Sequence, residues 1–147
     1  MRHALIFLHL VGVTIWIGGM FFAHFCLRPA AAQVLQPPQI LPLMSAALRR
    51  FFRWVAFAIV LLWGTGLTQL LTVGFARAPW QWHAMMGIAL VMTVIFAVIA
   101  HGIYPTMRNA VAGADWAGAA AAMGKIRKLV LVNLVLGFGT IGVASLT

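Results

Sequence analysis

Four of the five histidines lie near the ends of two long apolar runs, His9 and His24 in the first and His83 and His101 in the third. Neutral imidazole is a strong ligand for iron and copper, and in lipid it is costly unless it finds a partner. Two imidazoles facing each other across a helix bundle suit axial ligation of a planar haem b, whereas an imidazole beside a thioether suits Cu(I). Thioethers are at hand: Met20 stands four residues before His24, and Met86 lies one turn beyond His83. The tripeptide Met1-Arg2-His3 adds an amine, amide nitrogens and a third-position imidazole, a nitrogen set for square-planar Cu(II). Other chemistry is poorly supplied. Asp115 is the sole carboxylate side chain, which excludes paired-carboxylate acid/base catalysis and Ca²⁺ or Mg²⁺ cages. Ser45 and Ser145 lack an acid-oriented histidine, and no Gly-rich phosphate loop follows a strand. No catalytic residue can be named.

The elements that must position these groups are membrane helices. With 64% hydrophobic residues in 147 positions, the chain reads as one membrane domain over residues 1–147. The run Leu5 to Cys26 carries no charge, is long enough to cross ~30 Å of hydrocarbon, and exceeds a signal-peptide core, so it reads as a retained span. At 100° per residue, His9, Gly12, Val13, Trp16, Met20, Ala23 and His24 fall within about 60° of one line. Further spans are expected at about 52–73, 82–104 and 129–146. Arg28-Pro29 and Pro105 are read as the stops of the first and third spans, and Pro37, Pro38 and Pro42 as a loop before a short helix over 43–50. Asp115 is expected to N-cap a short surface helix before the fourth span. On the third span His83, Met86, Gly87, Leu90, Val94, Ala97 and His101 share a face, because 18 residues make five whole turns at ~3.6 per turn. Cys26 is read as a small apolar residue and has no partner for an internal disulfide.

The net charge of +9 does not indicate nucleic-acid binding, since the cations flank apolar runs, where they meet anionic membrane lipids and fix topology. Eight of the ten lie after the first and third spans, and only Arg2 and Arg77 on the other side, so both termini are expected to be periplasmic.

These spans predict an all-α, integral membrane four-helix bundle with up-down-up-down topology, in which the first and third helices sit diagonally. His9 and His83 then share one level and His24 and His101 another, with Trp16, Leu90 and Val94 between them and Gly12, Gly19 and Gly87 giving room for a cofactor. The alternative is that each histidine donates to a carbonyl or to Gln69 and only joins helices.

The segments HLVGVTIWIGGMFFAHFCLRPA, LRRFFRW, LLWGTGL, WHAMMGI and IRKLVLVNLVLG, in that order, resemble the small four-span members of the copper resistance protein D family. The resemblance covers nearly the whole chain and implies a bacterial inner-membrane protein with a role in copper homeostasis or transport. His9 followed by Trp16 and Gly19, with His83 opening the third span, is also similar to the HemJ type of protoporphyrinogen oxidase, a four-span haem-binding enzyme. That family has a lysine two residues after the third-span histidine, where this chain has Met85. Three readings follow: a copper handler using His9, His83, Met86, His24, Met20 and His101; a haem b redox protein with His9/His83 and His24/His101 as axial pairs; and a structural partner protein. The haem reading is the one that makes an enzyme, a membrane oxidoreductase, and it calls for a quinone. A periplasmic copper or redox protein fits as partner to either metal reading, and the sequence leaves oligomerisation open.

Overall fold

A computed structural model describes all of residues 1–147. Four helices are long and apolar enough to cross a membrane: α1 (Arg2–Val34), α2 (Pro37–Val73), α3 (Trp80–Ala112) and α4 (Trp116–Ala144). At 1.5 Å per residue they are roughly 45–55 Å long, well beyond the ~30 Å of hydrocarbon, so each projects from the apolar layer.

The prolines do not end the helices where the sequence reading placed the stops. α1 continues through Pro29 and α3 through Pro105. Proline lacks an amide donor and its ring clashes with the carbonyl four residues earlier. Widened, π-type turns at Ala23–Leu27 and Val98–Ile103 contain those carbonyls, of Phe25 and His101, and give the rings room. Pro37 and Pro38 open α2, and Pro42 lies inside it, so the expected loop and short helix are one element with the second span. The expected surface helix is likewise continuous with the fourth span. Its cap is as read: the Gly118 amide donates to Asp115 Oδ1 at 3.0 Å. Gly74, at φ 91°, ends α2 in a backbone conformation that side chains disfavour.

α1 packs chiefly on α2 and α3 on α4, while α1 and α3 share little contact across the diagonal. Large apolar side chains such as Phe7, Phe22, Trp54, Val60, Leu90, Val94 and Val135 are exposed around the outside, as lipid-facing residues should be. The interior is uneven along its length. Around the end formed by the α1–α2 and α3–α4 connections, Leu41, Met44, Leu48, Tyr104, Met107, Ala119, Ala122 and Ile126 make a close-packed core. Toward the end that carries both termini the packing loosens: of the α3 residues Trp80–Ala97 only Met92 is fully buried.

Between the two regions stands a ladder of edge-to-face aromatic pairs, Trp16–Phe96 at 6.4 Å, Phe96–Phe52 at 5.7 Å and Phe52–Tyr104 at 5.4 Å. Tyr104 anchors its foot by donating its hydroxyl to the Ser45 carbonyl at 3.0 Å. Asn133 Nδ2 donates to the Met92 carbonyl at 3.1 Å and joins α4 to α3 in the same interior.

Candidate functional site

The loosened end of the bundle encloses a cavity of about 470 Å³ to which all four helices contribute. α1 supplies Arg2, His9 and Trp16; α2 supplies Trp63 and Gln69; α3 supplies Trp82, Met85, Met86 and Met92; α4 supplies Thr140 and Thr147. Trp16, 3% exposed, is the floor, where the aromatic ladder begins. Arg2 and Thr147 stand together at the terminal end.

His9 is half-buried, and its Nδ1 lies 2.8 Å from Thr65 Oγ1. The Thr65 hydroxyl has a single hydrogen, donated to the Leu61 carbonyl at 2.7 Å. With the hydrogen placed there Oγ1 accepts, and the His9 tautomer that matches carries its proton on Nδ1 and has a free lone pair on Nε2. This is the arrangement that orients a metal-ligating histidine, with the remote nitrogen tied by a hydrogen bond and the other available. Thr65 is itself buried, and Gln69 Nε2 donates to its carbonyl at 3.3 Å. Trp63 Nε1, also on α2, donates to Thr93 Oγ1 at 3.1 Å, joining α2 to α3 beside the cavity.

α1 presents the face that its periodicity predicts: Gly12, Trp16 and Met20 are buried, and His9 and His24 are partly so. α3 does not. Gly87, Leu90, Val94, Ala97 and His101 are all exposed, and the core is reached instead through Met92, Ile99 and Tyr104. Met92 lies nine residues from His83, ~180° around the helix at 100° per residue. The physical reason is that α3 is apolar on every side, so hydrophobicity does not distinguish its lipid face from its core face. Its two imidazoles sit near the ends of the apolar run, at a depth where headgroups and water can satisfy them.

His83 is accordingly outside the cavity lining and rests edge-on against Phe75, at 4.5 Å between ring centroids. His24 packs against Phe25 of its own helix at 4.8 Å, and His101 is exposed. The structure thus brings neither expected histidine pair together in the cavity. Of the expected thioethers, Met86 lines the cavity, whereas Met20 is buried in the core. Gly12 and Gly19 do not hold open space: a Cβ on Gly12 would lie 2.9 Å from Leu62 Cγ, and one on Gly19 would run into the Phe51 ring. Gly87 faces outward with nothing near it. His3 is exposed on the first turn of α1.

No group of three or more His, Cys, Asp or Glu side chains converges in the molecule. Met85, Met92, Trp63 and Arg2 of the cavity wall, and Thr65 behind His9, are the residues that the residue patterns did not single out as ligands or pocket walls. A signal for two of them was present, since Trp82, Met85, Ala89 and Met92 recur at helical spacing.

No curated protein and no solved structure matches the chain. The likeness to the protoporphyrinogen oxidase type finds no support in these comparisons. The copper resistance protein D family is matched over residues 45–147, from the first third of α2 through α3 and α4, with α1 and His9 ahead of the matched stretch. That stretch is more than two thirds of the chain, and the protein belongs to the copper resistance protein D family.

Proposed function

We propose that the protein handles copper as Cu(I) cargo in the cavity at the terminal end of the bundle. His9 Nε2 serves as the imidazole donor and Met85 and Met86 as thioether donors. The observation that carries this reading is the Thr65 hydroxyl, which ties up His9 Nδ1 and leaves Nε2 free in a cavity that methionines also line. Imidazole and thioether together form a soft, neutral donor set, suited to a monovalent soft ion and poorly suited to Mg²⁺ or Ca²⁺. Membership of a copper resistance family supports the same ion. A neutral donor set also favours release, because no carboxylate or thiolate holds the ion by charge.

A second reading is favoured by the cavity's size. A volume of about 470 Å³ lies within the ~300–1,000 Å³ range of organic-ligand pockets and far exceeds the needs of a bare ion. Arg2 offers a cation for a carboxylate, and the walls are mostly apolar, so a flat group such as haem b is the second candidate occupant, with His9 as the residue that would hold its iron.

One preparation tests both. The detergent-purified protein is assayed for metal and its optical spectrum is taken before and after dithionite, then repeated after loading with Cu(I). The copper reading expects a colourless protein that retains Cu(I) after dialysis, loses it in His9→Ala and in the double variant Met85→Leu/Met86→Leu, and keeps it in His83→Ala and His101→Ala. A Soret band with sharp reduced bands, abolished in His9→Ala, would replace copper with haem. Loss in His83→Ala equal to that in His9→Ala would favour the diagonal histidine pair. Retention of either group in His9→Ala would sink both readings of the cavity.

A further inference from the structure

At the other end of the bundle a second cleft, of about 330 Å³, opens between α1, α2 and α4. Two guanidinium groups from different helices, Arg28 of α1 and Arg127 of α4, line it, together with Ile40, Leu41, Met44 and Met123. Arg28 is partly buried, and the two arginines repel each other. No carboxylate relieves them: Asp115 is the sole acidic side chain and is committed to the N-terminus of its own helix. The partly buried imidazole of His24, one turn from Arg28, lies in the same field and carries no negative charge to offset it. Like charges converging on a cleft with apolar walls are costly unless an anion completes the site.

We propose that this cleft binds a phosphate group, held between the guanidinium groups of Arg28 and Arg127 and supplied by the headgroup of an anionic phospholipid. Arginine is the side chain suited to this task, because its planar fork meets phosphate oxygens with two parallel hydrogen bonds. The position along the helices points to lipid as the source. Arg28 comes two residues after the uncharged run that ends at Cys26, and Arg127 comes two before the run that begins at Leu129, so both stand at the level of the headgroups. Ile40, Leu41, Met44 and Met123 give the glycerol and upper acyl chain an apolar wall, which a free phosphate ion would not use.

The test is lipid retention by native mass spectrometry. The full chain is purified from mixed micelles containing equal phosphatidylglycerol and phosphatidylcholine. The wild type is compared with the pair variant Arg28→Gln/Arg127→Gln and with Arg49→Gln/Arg53→Gln, which removes two exposed cations of α2 outside the cleft. Expected is a bound phosphatidylglycerol population on the wild type and the Arg49/Arg53 variant that falls at least tenfold in the Arg28/Arg127 variant, while Arg28→Lys/Arg127→Lys retains part of it. A thermal melt of each variant in the same micelles confirms that the helices remain folded. Equal retention by the wild type and the Arg28/Arg127 variant would overturn the proposal. So would an equal loss in the Arg49/Arg53 variant, which would show general attraction to the basic end. Displacement of the lipid by millimolar inorganic phosphate, with phosphate then protecting the wild type alone against heat, would keep the phosphate site and overturn its assignment to lipid.

Discussion

Thr65 decides what His9 can do. With its hydroxyl hydrogen on the Leu61 carbonyl, the imidazole donates from Nδ1, and on the copper reading proposed above Nε2 is the nitrogen offered to the ion whenever the ring is neutral. Removing such a supporting partner from a metal-bound histidine typically weakens binding by about 10–100-fold. Thr65→Val, which keeps the shape and removes the hydroxyl, is therefore expected to weaken Cu(I) binding by about that factor, with Thr65→Ser restoring most of it. Titration against a chromogenic Cu(I) chelator reads the change, and an unchanged affinity in Thr65→Val would mean that His9 does not bind through Nε2. The histidines were conspicuous in the sequence because imidazole is rare and costly in lipid. Thr65 was not legible as a partner of His9, since its role depends on a contact 56 residues away along the chain. Met85 recurs with Trp82, Ala89 and Met92 at helical spacing, but on a helix apolar all round that stripe does not stand out from its neighbours, and the structure has both Met85 and Met86 on the cavity wall.

At the scale of elements, the glycines separate helix contacts from lipid contacts better than hydrophobicity does. A Cβ on Gly12 would lie 2.9 Å from Leu62 Cγ and 3.3 Å from the Ala58 carbonyl, and neither α2 group is a free side-chain end that could swing away. Gly12→Ala is thus expected to push α1 from α2 and cost about 1–3 kcal/mol, the usual range for overpacking. Gly87→Ala, on the open face of α3, meets nothing and gains helix propensity, so it is expected to be neutral or stabilising by up to about 1 kcal/mol. Reversible unfolding in mixed micelles with increasing dodecyl sulfate measures both, and equal effects would contradict the assignment of α3's outer face. The count of helices and their antiparallel order were readable because four apolar runs separated by charge and proline admit few other arrangements. Helix ends were less so. Pro29, Pro42 and Pro105 look like stops in a linear reading, yet the widened turns around Phe25 and His101, and the place of Pro42 in the second turn of α2, let the chain continue.

The molecule as a whole is polar along its axis in two respects that point the same way. The basic end has a close-packed core beneath the arginines and their cleft, while the end bearing both termini holds the larger cavity and only Arg2 and Arg77. The aromatic ladder from Trp16 to Tyr104 lies between the two. Short basic connections stay in the cytoplasm during insertion, because moving Lys and Arg across the bilayer is costly. The basic end is therefore expected to face inward, with the cavity facing the compartment outside the cytoplasmic membrane, from which copper would arrive. Alkaline phosphatase fused after Thr147 should then be active and a fluorescent protein at the same point dark, with the reverse result for insertions in the α1–α2 connection. Replacing Arg49, Arg50, Arg53, Lys125, Arg127 and Lys128 by Gln leaves Arg28 and Arg108 against Arg2 and Arg77, and should yield a mixed population by both reporters. If the wild-type fusions reported the termini inside, the cavity would face the cytoplasm. The protein would then receive copper from within, and the same His9 and methionine set would serve export.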